Sequence, residues 1–183
     1  MQTRFPFDKE KTLNVLLYVV PRLKRADLHK VFKILYFADR AYLHEYGRPI
    51  TGDIYVAMEA GPVPSKVYDI CKIVRGDSYS REDALLELLK VEDWMYLVAK
   101  RPADLDKISP NEREVLDACI EKYGDLSYDE IKEKSHDTAW RSTARDYMMR
   151  MEDIARESGL DSEELTYVQE SARLMNFAHG TAQ

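Results

Sequence analysis

Three of the seven glycines and three of the seven prolines in this chain fall between residues 47 and 64, in GRPITGDIYVAMEAGPVP. Glycine and proline stop helices and turn chains. Crowding them into one stretch leaves long segments on either side with few breakers, and those are the segments in which helices can run. The expected fold is helical before and after a short, sharply turned β-region.

The N-terminal side reads that way. Asp8 is placed to cap a helix through TLNVLLYVV to about Pro21, with Leu13, Leu16, Leu17 and Val20 at helical spacing. Asp27 is placed to cap a second, LHKVFKILYFADRAYLHEY. Its core stripe is Leu28, Val31, Phe32, Leu35, Tyr42 and Tyr46, and Gly47 suits a left-handed C-cap. Residues 54–59 alternate and carry β-branched and aromatic side chains, which predicts a strand between turns at 47–52 and 61–64. Ser65 is placed to cap a helix over 66–75, and GDSYSRED is a loop. Residues 85–91 suit helix or strand, and 94–100 read as a strand, with Glu92 and Asp93 able to close a hairpin.

Three capping boxes follow: SPNE at 109–112, SYDE at 127–130 and DSEE at 161–164. They start helices over 110–123, 128–135 and 162–177. A shorter helix is expected over 146–158, and FAHGTAQ at the end is expected to fray. The fold class is therefore α+β: a helix-dominated single domain over 1–183 with a small antiparallel sheet of about three strands. Its core spans about 8–145 and a helical C-terminal extension covers 146–178.

The net charge is −6, with 27 basic residues interleaved among 33 acidic ones. Spreading over nucleic acid requires clustered Lys and Arg, so nucleic acid is not the expected partner. No apolar run approaches the ~18 residues of a membrane span, and MQTRFPFDKEK lacks the apolar stretch of a signal peptide. Cys71 and Cys119 form no CxxC and read as buried thiols of a reducing compartment. The expected location is the cytoplasm, with no membrane partner.

Catalytic patterns are missing from the sequence. His29, His44, His136 and His179 form no HxxxH or HExxH, and no GxSxG, GxGxxG or GxxxxGK[ST] occurs. The sequence thus points to no enzyme, no metal and no cofactor. Asp39 lies on the apolar stripe of the second helix, where a carboxylate must find donors or shift its pKa upward. With no nucleophile or histidine beside it, it reads as a buried anchor for loop amides or a tyrosine hydroxyl rather than as a general acid or base. His136 and Trp140 in SHDTAW read as a stacked pair locking a loop onto the core. One alternative stays open: residues 110–123, a Gly124–Asp125 turn and 128–135 resemble a helix-turn-helix. Lys132 and Lys134 would serve base readout, with Arg141, Arg145 and Arg150 downstream, but Asp129, Glu130 and Glu133 share the second helix.

Residues 33–69, KILYFADRAYLHEYGRPITGDIYVAMEAGPVPSKVYD, resemble the signature of the Panacea domain family, the SocA-like antitoxins. That family shows a KLLYLAD-type helix, a G-x-P-[IL]-T/S-G/x-D loop, a strand, and GPVP before a helix. LDKISPNEREVLDACIEKYGDLSYDEIKEKSH at 105–136 is similar to its later helices and YG turn. The likeness covers about 10–145. One departure is that Ala139 precedes Trp140 where the family usually has proline.

The resemblance implies an antitoxin that neutralises a cognate toxin, usually encoded beside it, by protein–protein contact and without enzymatic activity. Some members sit in phage or mobile-element contexts, so a non-antitoxin interaction protein of such an element stays open as a further alternative. Neutralisation by occlusion and by delivery to a cytoplasmic protease both stay open, as does homo-oligomerisation. On this reading Gly47, Pro49, Gly52, Gly61, Pro62 and Pro64 hold the 54–59 strand rigid, and a preorganised surface loses less entropy on binding. The partner-facing candidates are Arg48, Thr51, Asp53, Tyr55, Ala57 and Glu59. Arg48 is expected to project from an ordered turn, either pairing with Asp53 or Glu45 or meeting the partner, and its reversal is expected to leave stability nearly unchanged.

Overall fold

The structure, a computed structural model, describes residues 2–180. Helix α1 (Lys9–Val19) starts where the Asp8 carboxylate accepts the Lys11 amide at 2.9 Å. It passes into a 3-10 turn, Val20–Arg22, with Pro21 near its start. Helix α2 (Leu28–Tyr46) starts on Asp27, which accepts the Lys30 amide at 2.9 Å, and ends on Gly47 with φ +66°. The expected stripe understates α2: Ile34, Tyr36, Phe37 and Ala38 are buried as deeply as Val31 and Leu35. A helix buried along most of its length on all sides is a central one. Around it lie α5 (Pro110–Tyr123), α6 (Tyr128–Ser135), α8 (Met151–Glu157) and the second strand of a hairpin.

That hairpin is β1 (Tyr55–Met58) and β2 (Gly61–Pro64), antiparallel in the register Tyr55↔Pro64 and Met58↔Gly61. GPVP, expected as a corner, is thus a strand. The Ser65 amide donates to the Ile54 carbonyl at 2.9 Å, which makes Tyr55↔Pro64 a pair not joined by its own hydrogen bonds. Pro64 and Pro62 therefore point their missing N–H groups away from β1, where the ladder loses nothing. The other edge of β1 is filled by residues 146–149. The Ala57 amide donates to the Tyr147 carbonyl at 2.9 Å and the Met149 amide to the Tyr55 carbonyl at 2.8 Å. This is why the helix expected over 146–158 starts only at Met151.

Residues 85–91 turn out to be both alternatives in succession: α4 (Asp83–Leu88) becomes β3 (Leu89–Glu92). β3 pairs antiparallel with β4 (Tyr96–Ala99) around a turn in which Asp93 and Trp94 both have positive φ. Among the described residues the chain therefore carries two sheets of two strands each, not one of three. Helices α3 (Ser65–Arg75), α7 (Thr138–Arg141) and α9 (Ser162–Ala178) complete a helix-dominated α+β fold. All three capping boxes form.

Met151, Ile154 and Ala155 of α8 and Leu165, Val168 and Ala172 of α9 lie in the same hydrophobic core as α2. Phe177 and Ala178, expected to fray, belong to α9, while 181–183 lie outside the described residues. The two ends of the fold are tied together. Glu152 accepts the Thr3 amide at 3.0 Å and its hydroxyl at 2.7 Å, and the Asn176 amide donates to the Arg4 carbonyl at 2.7 Å.

Candidate functional site

Two buried carboxylates organise residues 47–64. Asp39, on α2, accepts the Ile50 and Thr51 amides at 2.8 and 2.9 Å, the Thr51 hydroxyl, and the Tyr55 hydroxyl at 2.8 Å. Burial pushes this carboxyl up, while those four donors pull it down. Asp53 accepts the amides of Ile54, Lys66 and Val67 at 2.7, 2.9 and 2.9 Å. The Ser65 side chain makes no cap for α3, whose N-cap residue is Pro64. Asp53 supplies the cap from another segment, so the expected Ser65 cap is corrected. Burial raises the Asp53 carboxyl to about 6 despite its three amide donors.

The six partner-facing candidates divide accordingly. Thr51, Asp53, Tyr55 and Ala57 are all 2% exposed or less. They point inward because the first two close the carboxylate network and the other two sit on the inner face of β1, whose burial alternates. Val56 and Met58 occupy its outer face. Arg48 is half-buried: its guanidinium lies 3.3 Å from Glu112 and 5.1 Å from the Tyr42 ring centroid. Its acid partner is thus neither Asp53 nor Glu45. Glu112 is itself buried, which would raise its pKa. Lys11 at 2.9 Å, the Ser109 amide and Arg48 together hold it below the usual range. Glu59 is exposed at the hairpin tip and pairs with Arg145 at 2.7 Å.

Against β2 lies a second polar group that the sequence reading did not single out. The Lys33 amine, sealed from solvent, donates to the Pro62 carbonyl at 2.9 Å. Burial lowers its pKa to about 7. Gly61, with φ +102°, leaves room for it: a Cβ there would stand 2.4 Å from the Ser135 hydroxyl and 2.8 Å from the Lys33 Cε. On one side His29 meets the Ala60 carbonyl through Nε2 at 3.1 Å, and burial, then the Lys33 charge, lower its pKa to about 4. On the other, the His136 and Trp140 rings stack 3.7 Å apart and parallel, and the Trp140 indole donates to the Met58 carbonyl at 3.0 Å.

Asp137 locks this loop despite Ala139 standing before the tryptophan. It accepts the Trp140 amide at 3.0 Å, the Tyr36 hydroxyl at 2.6 Å and the Arg40 guanidinium at 2.7 Å. A sequence signal for it existed: Asp immediately before a helix, three residues ahead of the amide it accepts, is an N-cap pattern. Lys33 had no such signal, since lysine on a helix normally reads as surface.

Chemically, these groups brace the hairpin against α2, α3, α6 and α7. The acids spend their acceptor capacity on the protein's own donors, and the amine is enclosed. Cys71 and Cys119 are buried thiols pushed up to about 12 and about 11. Among the described residues no group of three or more His, Cys, Asp or Glu is placed to hold a metal ion. No helix among them is long and apolar enough to cross a membrane.

A family model described as "Antitoxin SocA-like, Panacea domain" matches residues 31–141, from the first turn of α2 to the last residue of α7. The span is more than half of the chain and holds the hairpin, both carboxylates and the Lys33 and Trp140 contacts. No curated protein and no solved structure matches the chain.

Proposed function

We propose, on the premise that this chain belongs to the SocA-like antitoxin family built on the Panacea domain, that it silences a cognate toxin by binding it directly and catalyses no reaction itself. The observation that carries this reading is the family match, which spans the whole braced hairpin. The geometry supports it in one respect: Asp39, the sequence's best candidate for a general acid or base, is enclosed and takes four hydrogen bonds from the fold. A general base has to reach a substrate proton.

The expected setting is the cytoplasm, beside a neighbouring gene that encodes the toxin. Co-expression with that neighbour is the test. Growth arrest by the neighbour alone, and recovery at equal expression, is the expected result. A non-toxic neighbour, or arrest that persists, overturns the reading. Toxin half-life in the same cells separates the two routes: occlusion leaves it unchanged, and delivery to a protease shortens it.

Local charge weighs against the helix-turn-helix alternative. The first turn of α6, which would approach base edges, carries Asp129 and Glu130, with Glu130 tied to Ser127.

A further inference from the structure

The outer edge of β4 is only half used. The Leu28 amide donates to the Met95 carbonyl at 2.8 Å, and the Leu97 amide to the Ala26 carbonyl at 2.9 Å, so residues 26–28 run along this edge as a short antiparallel bridge. Before Ala26 the chain swings away into the 3-10 turn Val20–Arg22, and the ladder stops. In an antiparallel strand the N–H and C=O of one residue point to one side, and the side repeats two residues on. Both backbone groups of Ala99 therefore face outward, without a hydrogen-bond partner among the described residues, while Leu97 is buried opposite Ala26.

Where the ladder would continue there is a groove of about 440 Å³. Pro21, Leu23, Val98 and Ala99 line it, and Lys24 and Arg25 stand on it. Arg25 lies 5.1 Å from the Tyr96 ring centroid and hydrogen-bonds the Tyr96 hydroxyl, with no carboxylate partner among the described residues. Lys24 has only an exposed pair with Asp125. On a chain of net charge −6 this is a cationic edge.

We propose that this groove takes an extended acidic segment of a partner protein, which continues the interrupted ladder by pairing with the backbone of Ala99. The inference rests on the antitoxin reading in so far as that segment belongs to the toxin. The unpaired N–H and C=O of Ala99, side by side above an apolar floor, match a peptide backbone. A phosphodiester backbone brings no donor for the carbonyl, and Arg25, which has no carboxylate partner among the described residues, selects an acidic residue on the incoming strand.

The test uses two probes: the neighbouring gene's product, co-purified with the full chain, and an eight-residue capped peptide of alternating Glu and Val. Two variants probe the edge. Ala99→Pro removes the outward N–H and takes no donor from the β3 ladder, which is held by neighbouring groups such as the Lys100 amide on the Leu88 carbonyl at 2.8 Å. Arg25→Glu reverses the charge. Either probe is expected to slow hydrogen exchange of the Ala99 amide at least tenfold. Each variant is expected to weaken binding at least tenfold with an unchanged melting temperature, and Arg81→Glu, at a remote exposed pair, is expected to bind like the parent.

If the parent neutralises the toxin and both edge variants do so equally, the groove proposal falls and the antitoxin reading stands. If no neighbour is toxic but the peptide protects Ala99, the antitoxin reading falls and the groove stands. Should Ala99→Pro fail to fold, Arg25→Glu and the exchange measurement decide alone. Protection of Ala99 by self-association, by DNA in place of peptide, or by neither probe overturns the proposal.

Discussion

The Lys33 amine donates to the Pro62 carbonyl at 2.9 Å and has no carboxylate within ion-pairing distance among the described residues. Its pKa near 7 in the fold, against ~10.4 in an unfolded chain, means the unfolded state holds one more proton above pH 7. Stability therefore rises with pH from about 7, by up to ~1.4 kcal/mol per pH unit. Above pH ~8.5 the unfolded thiols ionise while Cys71 and Cys119, pushed up to about 12 and about 11, do not, which opposes the rise. Urea titrations should show a gain of about 1 kcal/mol between pH 7 and 8.5 that reverses beyond, where two thiols outweigh one amine. Lys33→Met should abolish the gain, and an equal slope in both proteins would refute the assignment.

Asp53→Ala should cost about 2–4 kcal/mol, since it strips the cap from α3 and leaves buried amides unpaired. Ser65→Ala should cost under about 0.5 kcal/mol, because the Ser65 side chain makes no cap. Chemical denaturation of the two variants separates them, and a larger loss for Ser65→Ala would contradict the external cap.

Gly61→Val should lose about 3 kcal/mol or more, from a positive φ and from contact with Ser135 and Lys33. Adding Ser135→Gly should recover only the steric part. Full recovery in thermal melts would show that the backbone conformation is not strained.

Arg48→Glu, expected from the sequence to leave stability unchanged, should instead cost about 1–3 kcal/mol, because it sets a second carboxylate beside buried Glu112. Glu59→Arg breaks only an exposed pair and should stay within about 0.5 kcal/mol of the parent. If the toxin uses the β4 edge, Glu59→Arg should also neutralise normally in a rescue titration. Loss of rescue there would bring the partner to the hairpin tip.

The elements legible in the sequence were those whose hydrogen bonds close within a few residues. Asp8, Asp27, Gly47 and the three capping boxes mark helix ends through contacts three or four positions away. The Asp53 cap on Val67 spans 14 residues and had no local signature. GPVP hid a strand because proline argues against one unless its missing N–H faces off the ladder, and that depends on register. Alternation over 54–59 was legible, but not which face was inside. Taking Tyr55 and Ala57 as partner-facing chose the core face, since a slip of one residue exchanges the two.

The tie between Thr3 and Glu152, 149 residues apart, has a consequence for how the protein is made. At a synthesis rate of ~5–20 residues/s, a ribosome needs about 7–30 s to pass from one to the other. Within that interval, from Met58 until residues 146–149 are made, β1 has its outer edge unpaired, and contacts this distant in sequence form late. A nascent chain stopped before residue 146 is left with an open β-edge, a feature that invites aggregation and degradation.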